Sequence, residues 1–302
     1  MSFTGTVKNE VTTIKVSESA KIALISGFLR NNYQIIKGSI VISSENESII
    51  SFLEDLLDSY EEISYKKELF DNNNFSKHKL IPLVITKGEE FIKNTFCLDD
   101  EVVPSYLVSL EDEIRSYLRG VFLSSGSIND PKTSRYHLEF LIGDSNEVIF
   151  VQKLLNNYFL NAKLLSRDKG YMLYIKEADK ISDFLKIIGA SKAVLYYEEI
   201  RVYRDKKNKT NRLNNCEQAN MDKVVKTCLE QLNYIRILED NMAIELLDDK
   251  TKEALEYRKK YQEASLKELS EIISLETGNA ITKSGLNHRF RKIKELALKF
   301  QK

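Results

Sequence analysis

The sequence has no tryptophan, only three prolines and three cysteines, and no long hydrophobic run. The cysteines (Cys97, Cys216 and Cys228) are odd in number and far apart, so they form neither a disulfide framework nor a CxxC zinc pattern. A reducing cytoplasm is therefore the expected compartment. No apolar run is longer than five residues, the length of 193–197, which is far too short to span a membrane. The first residues are polar, so we expect neither a signal peptide nor a membrane partner.

The formal net charge is zero, but the charged residues are unevenly distributed along the 302 residues. Residues 201–302 carry 22 Lys and Arg against 16 Asp and Glu, whereas residues 1–200 carry 23 against 29. Surfaces that bind phosphate are basic, so the C-terminal part is where nucleic acid would be expected to bind. The length allows two domains, and the apolar share of 42% is that of a globular protein.

Short strands and helices alternate within residues 1–200. Residues 33–44 are rich in β-branched side chains and predict one or two strands, followed by a helix at 46–59. A strand is predicted at 80–86, where Pro82 indicates a position near a sheet edge. The order then restarts with elements predicted at 111–123 (helix), 136–142 (strand), 146–159 (helix), 171–175 (strand) and 180–188 (helix). We interpret these elements as two units of an α-β-β-α type, which predicts an α+β fold with halves at 1–100 and 101–200.

A short internal echo supports this duplication. Residues 25–29 (ISGFL) match residues 118–122 (LRGVF), and the two glycines, Gly27 and Gly120, occupy the same place. Glycine inside a helix costs about 1 kcal/mol relative to alanine, so its presence needs a reason. Close approach of two helices across a local two-fold axis would supply one. A chance match of five residues is the alternative that the sequence leaves open.

Residues 201–215 form a polar, basic stretch without apolar periodicity, which we interpret as an interdomain linker. Such a stretch is either a solvated connection or an additional phosphate contact, and the sequence favours neither. Apolar spacing then predicts a long helix at 219–239. The remaining residues, 216–302, are predicted to form an all-α domain.

The end of the chain carries the pattern of a helix-turn-helix. Ser265 and Glu268 fit an S-x-x-E capping box at the start of one helix. A short connection containing Gly278 follows, and a final helix is predicted to begin near Thr282 or Ser284. Its apolar residues repeat at intervals of four and three and form one stripe: Leu286, Phe290, Ile293, Ala297 and Phe300.

The polar side of this final helix is the candidate DNA-binding surface. In a helix-turn-helix the start of the second helix enters the major groove, where Asn and Arg read base edges, while Lys contacts phosphates. The candidate DNA-binding residues are Ser265, Lys267, Lys283, Ser284, Gly285, Asn287, His288, Arg289, Arg291, Lys292 and Lys294. The alternative is an amphipathic C-terminal helix whose lysines only hydrate it and complement its dipole.

Several stretches together resemble the WhiA family of bacterial regulators. They are 115–128 (RSYLRGVFLSSGSI) with 136–139 (YHLE), then 215–220 (NCEQAN), 264–269 (ASLKEL) and 283–292 (KSGLNHRFRK). Gln218 departs from the family's N-C-E-T-A-N segment. The resemblance covers nearly the whole chain. It implies a LAGLIDADG homing-endonuclease-like domain joined to a C-terminal helix-turn-helix domain, and a role in transcriptional control, or in cell division and chromosome segregation.

The resemblance also bears on catalysis. In active LAGLIDADG nucleases an acid near the end of each motif holds the divalent metal, since a metal bridging the scissile phosphate needs anionic oxygen ligands. Aligning Gly27 with Gly120 places Asn32 and Ser125 at these positions, and neither is anionic. Asp130 and Glu139 are the nearby carboxylates that could restore a site. We therefore expect no catalytic residues, no metal and no cofactor, with the nuclease-like fold serving as a binding scaffold.

Three functions follow as hypotheses. The first is a non-catalytic regulator that binds double-stranded DNA in the cytoplasm and is associated with the nucleoid. The second is a metal-dependent DNA endonuclease. The third is a protein-interaction module that docks on RNA polymerase or a division factor through the acidic half of the chain. The sequence contains no GxxxxGK[ST] phosphate loop and no pair of histidines at metal-binding spacing.

Overall fold

The computed structural model describes residues 2–36, 38–67, 80–133 and 135–301, which form two compact units that divide between Arg204 and Asp205. The first half of the N-terminal unit contains α1 (Phe3–Val11), α2 (Glu18–Leu29), β1 (Gln34–Ile36), β2 (Ser39–Ser44), α3 (Glu47–Leu57), β3 (Ser64–Lys67), β4 (Ile81–Lys87) and α4 (Glu89–Thr95). The second half contains α5 (Glu111–Ser125), β5 (Gly126–Ile128), β6 (Leu138–Ile142), α6 (Ser145–Asn157), β7 (Lys163–Arg167), β8 (Gly170–Ile175) and α7 (Ala178–Ile187). A 3₁₀ turn, Ser105–Val108, precedes α5.

The two halves repeat one topology, which confirms the predicted duplicated α+β arrangement. Among the described residues, each half has a four-stranded antiparallel sheet, in the orders β1-β2-β4-β3 and β5-β6-β8-β7. Each half is longer than the predicted α-β-β-α unit and runs α-β-β-α-β-β-α from α2 and from α5. The sequence pattern misses three outer strands, β3, β5 and β7. The side chains of β3 and β7 are mostly exposed and include charged residues, as is usual at sheet edges, and β5 has only three residues.

The expected edge position of Pro82 is wrong. Strand β4 lies between β2 and β3, and Pro82 pairs with Ser43 of β2. Within the described residues, β4 pairs with β3 from Leu83 onwards. Proline is tolerated at this point because it lies near the start of the strand, which begins at Ile81.

Helices α2 and α5 pack against each other at the centre of the unit's core, and the paired glycines make this possible. A Cβ atom at Gly27 would overlap the carbonyl oxygen of Tyr117, and one at Gly120 would overlap the carbonyl oxygen of Leu24. Side chains around the crossing, such as Phe28, are fully buried. The close approach expected from the glycine echo is therefore present, and each glycine lies against the backbone of the opposite helix.

Residues 201–215 are helical and are not an irregular connection. They lie within α8, a single helix of 50 residues from Ser191 to Asp240, which also starts well before the predicted 219–239. The segment contains neither glycine nor proline, so nothing in the chain interrupts the helix. Apolar periodicity is missing at 205–220 because the side chains there are exposed. Exposed polar residues can be helical without any stripe to reveal it.

The C-terminal unit continues from α8 with a 3₁₀ turn (Ile244–Leu246), α9 (Asp249–Lys260), α10 (Leu266–Thr277) and α11 (Lys283–Lys299). One apolar core joins the end of α8 to these three helices, and it includes Leu238, Leu255, Leu269 and Leu286. Over the described ranges, no helix is both long enough and apolar enough to cross a membrane.

Candidate nucleic-acid interface

The predicted capping box starts α10. The Ser265 hydroxyl accepts a hydrogen bond from the backbone N–H of Glu268 at 3.2 Å, and the Glu268 carboxylate accepts one from the N–H of Ser265 at 2.7 Å. Hydrogen bonding of the Glu268 carboxylate to the backbone N–H and the side chain of Ser265 lowers the pKa of Glu268. Each bond satisfies a backbone donor that a helix start leaves free, so the chain before α10 is held in a fixed direction.

A tight turn joins α10 to α11. Gly278 ends α10 with a φ of 68°, in the left-handed region that glycine adopts without strain. The Thr282 hydroxyl then caps α11 by accepting a hydrogen bond from the N–H of Gly285 at 3.1 Å. Below the turn, Leu269 and Ile273 of α10 and Leu286 of α11 are buried in the shared core. The two helices therefore have the short connection and the common core of a helix-turn-helix.

The polar face of α11 is exposed as the sequence predicts. Leu286, Phe290, Ile293 and Ala297 are buried, whereas Phe300, the last member of the predicted stripe, is 39% exposed at the end of the helix. The exposed residues of the candidate set are Lys267, Lys283, Ser284, Gly285, His288, Arg291, Lys292 and Lys294. Ser265, Asn287 and Arg289 are half-buried.

Ser284, His288 and Arg291 form the outermost stripe of α11. They lie three or four residues apart, which places them on one side of the helix. Within the part of the chain that the structure describes, their side chains have no hydrogen bond or ion pair. Three donor-bearing groups near the start of the second helix are thus available to an external partner.

Two of the candidate cations are instead held by α9. Arg289 donates to the Lys250 carbonyl and to the Glu253 carboxylate, both at 2.9 Å, with its side chain only 18% exposed. Lys292 pairs at 3.0 Å with Asp248, which caps α9. This contact, together with hydrogen bonds from Thr251, lowers the pKa of Asp248 to about 2. Both side chains fasten α11 to the start of α9. Arg289 in particular has a structural role that its sequence position does not reveal.

Helix α8 lies along the other side of α11, a neighbour that sequence reasoning missed. Asn287, Arg291 and Lys294 line a groove of about 230 Å³ together with residues of α8 such as Glu230. The ammonium group of Lys294 lies 5.7 Å from the ring centre of Tyr234 on α8, a cation–π contact. The apolar residues of α8 predicted this helix but gave no sign of the partner against which it packs.

The side chains at the positions aligned with the nuclease acids form hydrogen bonds with nearby backbone groups. The Asn32 side-chain oxygen accepts a hydrogen bond from the N–H of Ser43 at 3.1 Å. The Ser125 hydroxyl donates to the Val121 carbonyl of its own helix at 2.9 Å. The neighbouring Ser124 hydroxyl likewise donates to carbonyl oxygens of α5. These groups are neutral, and each is satisfied inside the protein.

The two nearby carboxylates have local partners as well. Asp130 accepts a hydrogen bond from the N–H of Lys132 at 2.8 Å, in the turn after β5. Glu139 on β6 lies 3.0 Å from the imidazole of His137. Across the described ranges there is no cluster of three or more His, Cys, Asp or Glu side chains arranged to hold a metal ion.

A lysine lies beside the end of α5. The ammonium group of Lys8 donates to the Leu123 carbonyl at 2.9 Å and lies 5.7 Å from the ring centre of Phe122. Burial lowers the pKa of Lys8 to about 8, because desolvation disfavours its charged form. A basic side chain of the protein itself therefore contacts the last turn of α5, at a carbonyl two residues before Ser125.

Another buried network joins the two halves of the N-terminal unit, and the sequence gave no signal for it. Glu147, at the start of α6, pairs with Arg30 at 2.9 Å and accepts a hydrogen bond from the Tyr117 hydroxyl at 2.7 Å. Burial is the largest cause that raises the pKa of Tyr117, and the Glu147 charge adds to it. The residues are distant in sequence, so only the fold brings them together.

Comparison with known proteins gives the same two parts. Residues 114–207 match the WhiA LAGLIDADG-like domain, and residues 210–297 match the WhiA C-terminal HTH domain. The full-length DUF199/WhiA structure from Thermatoga maritima covers 99% of this chain and 99% of its own, with a TM-score of 0.58 and 22% identity. This likeness confirms the fold class expected from the sequence.

Curated relatives cover the whole chain. A protein of Bacillus cereus named "Probable cell division protein WhiA" is 38% identical over 315 aligned positions, which span 100% of this chain and 98% of the relative. A protein of the same name from Bacillus anthracis is 37% identical over the same spans. With both domain models matched in order and relatives aligned from end to end, the chain belongs to the WhiA family.

Proposed function

We propose that this protein is a DNA-binding regulator that reads duplex DNA with the exposed stripe of α11, formed by Ser284, His288 and Arg291. The observation that carries the proposal is that these side chains lie at the start of the second helix of a helix-turn-helix and have no partner among the described residues. Arg291 is the residue best suited to a bidentate contact with guanine. Lys267 and Lys283 would contact phosphates, and Asn287, half-buried beside α8, would sit at the edge of the contact.

Chromatin immunoprecipitation with sequencing of the native protein tests DNA occupancy and supplies a target duplex. On the strongest site, Arg291→Ala is expected to weaken binding by about 1–3 kcal/mol, roughly five- to 150-fold, as measured by fluorescence anisotropy. Arg236→Ala is the matched control, because Arg236 is an exposed arginine of the same unit on α8 without a hydrogen bond or ion pair in the described structure. Equal affinities for the two variants would refute the assignment of α11 as the reading helix.

We propose that the N-terminal unit serves as a binding scaffold and does not cut DNA. Asn32 and Ser125 are neutral and internally hydrogen-bonded, and Asp130 and Glu139 serve local contacts, which supports a scaffold role over metal-dependent hydrolysis. Incubation with supercoiled plasmid and Mg²⁺ or Mn²⁺ is expected to leave the plasmid intact. Nicking that Asp130→Asn or Glu139→Gln abolishes would establish the endonuclease alternative instead.

The relatives' names motivate a cellular role. We propose that the protein acts in cell division and chromosome segregation through transcriptional control, in the cytoplasm and on the nucleoid. A fluorescent fusion is expected to overlap stained nucleoids, and an Arg291→Ala fusion to lose that overlap. A deletion strain should show altered cell lengths together with altered expression of the occupied genes. Altered cell lengths with unchanged expression would separate the division role from transcription.

A protein partner is also proposed for the acidic part of the chain. Residues 1–200 have an excess of acidic side chains, which supports docking on RNA polymerase or on a division factor. Cross-linking of the native protein in cells, followed by mass spectrometry, is expected to join this part to one of these partners. Cross-links to neither, under conditions that preserve DNA occupancy, would count against the interaction.

A further inference from the structure

The C-terminal unit contains a cationic cleft beside the starts of α10 and α11. Its volume is about 180 Å³, equal to about six water molecules at bulk density. Lys223 from α8, Arg258 from α9, Lys267 from α10 and Lys283 from α11 all line it. No carboxylate is among the described residues that line it. Four elements of the unit therefore each contribute a basic residue to the lining of this cleft.

Arg258 is the buried member of this group. Its side chain has 0% exposure, and its guanidinium donates to the Gln231 side-chain oxygen at 2.9 Å and to the Ala264 carbonyl at 2.6 Å. Its Nη2 atom is buried without a hydrogen-bond partner in the described structure. Burial lowers the pKa of Arg258, and the Cys228 thiol acts in the opposite direction, whereas no carboxylate does. A buried cation without a carboxylate partner is costly, so an anion in the cleft would stabilise it.

The first turn of α10 faces the same cleft. The backbone N–H groups of Leu266 and Lys267, both lining residues, have no hydrogen-bond acceptor within the described ranges. The capping box uses the donors of Ser265 and Glu268 and leaves these two free. Free amides at a helix start bind anions, and α10 is long enough for its dipole to contribute.

Acids of α10 neutralise only part of this charge. The Glu268 carboxylate accepts the N–H of Ser265, and Glu271 forms an ion pair with Lys267 at 3.9 Å on the exposed side of α10. Lys223 and Lys283 have no ion pair in the described part of the chain. The remaining positive charge is thus left for an external anion.

We infer that this cleft is a binding site for a phosphate group, held by Lys223 and the first turn of α10 and attracted by the buried charge of Arg258. The phosphate that the position favours is a backbone phosphodiester of the DNA duplex, since Lys283 begins the helix proposed to enter the groove. In this respect the inference rests on the proposed function. A free phosphate has the same chemistry and is distinguished by experiment.

The test uses the full chain and two lysines of α8. Lys223→Gln removes a lining cation, and Lys226→Gln is the control, because Lys226 is equally exposed, three residues away and outside the cleft. Both avoid the folding risk of replacing the buried Arg258. With the target duplex, log affinity falls as log salt rises. Lys223→Gln should make this fall less steep by about 0.9, the value for one phosphate contact. Lys226→Gln should leave the slope unchanged.

Inorganic phosphate at constant ionic strength gives the second arm. A rise in Tm with phosphate for the wild type, absent in Lys223→Gln, would show that the site also takes free phosphate. No rise, together with the changed DNA slope, would assign the site to the DNA backbone. If Lys223→Gln matches Lys226→Gln in both arms, the inference is overturned.

The two arms separate this inference from the proposed function. If the wild-type protein shows no salt-dependent affinity for DNA, the proposed DNA binding is refuted. The measurements with inorganic phosphate would then be the only test of whether the cleft binds an anion. If Lys223→Gln binds DNA as the wild type does, and phosphate does not raise the Tm of the wild type, the cleft is not a phosphate site. The proposed DNA binding would then still stand.

Discussion

Replacing Gly120 by alanine tests the packing that defines the N-terminal unit. In an exposed helix this change stabilises by about 1 kcal/mol, because alanine is the better helix former. In α5 the new Cβ would overlap the Leu24 carbonyl oxygen and lie 2.7 Å from the backbone nitrogen of Phe28. Both clashes are with backbone in a buried core, so no side chain can rotate away.

The magnitude follows from these opposing effects. Overpacking a core costs about 1–3 kcal/mol, and a backbone clash belongs at the upper end. After subtraction of the helix-propensity gain of about 1 kcal/mol, Gly120→Ala should lower the free energy of unfolding by about 2 kcal/mol. For a unit of this size that corresponds to a fall in Tm of about 4–8 °C. Gly27→Ala should behave alike, since its Cβ would overlap the Tyr117 carbonyl oxygen.

Differential scanning calorimetry of the full chain is the assay. Gly143→Ala is the control, since a Cβ at this exposed glycine meets nothing within 4 Å and the change should stay within about 0.5 kcal/mol. A Gly120→Ala protein as stable as the wild type, or more stable, would refute the close crossing of α2 and α5. The physical explanation of the repeated glycine would then be wrong as well.

Two further predictions concern charges that the fold has placed. Arg289→Ala should destabilise the C-terminal unit by about 1 kcal/mol in chemical denaturation, because it loses two hydrogen bonds to α9, whereas Arg291→Ala should change stability by less than about 0.5 kcal/mol. If the two variants are equally stable and lose DNA affinity equally, Arg289 contacts DNA and does not have the structural role assigned to it. Lys8 has a pKa of about 8 in the folded protein against 10.5 for an exposed lysine, so the unfolded chain binds more protons between these values and stability should rise with pH there. Lys8→Met should flatten this rise relative to the wild type from pH 8 to 9.5, and an identical pH profile for both proteins would contradict the burial of Lys8.

Local signals in the sequence predict a large part of the candidate site. The capping box of Ser265 and Glu268, the turn at Gly278 and the buried stripe from Leu286 all lie where the pattern places them. Such features depend on neighbours within a few residues, and the helical repeat relates sequence spacing directly to a face. The exposure of His288 and Arg291 follows from the same repeat.

Contacts between distant elements could not be predicted in this way. Nothing near Arg289 in sequence indicates that Glu253 binds it, and nothing near Arg258 indicates burial at 0% exposure. The continuity of α8 through 201–215 was missed because an exposed helix needs no apolar stripe. The pattern shows which side of a helix is apolar, but not which helix covers it.

The missing carboxylates and the basic final helix were determined by sequence alone, because side-chain chemistry and helical spacing suffice to state them. Tertiary structure decided which cations remain available. It tied Arg289 and Lys292 to α9, left Arg291 exposed, and gathered Lys223 and Arg258 around the start of α10. The physical reason is that a charge's role depends on the groups within a few ångströms of it, and folding brings those groups from remote parts of the chain.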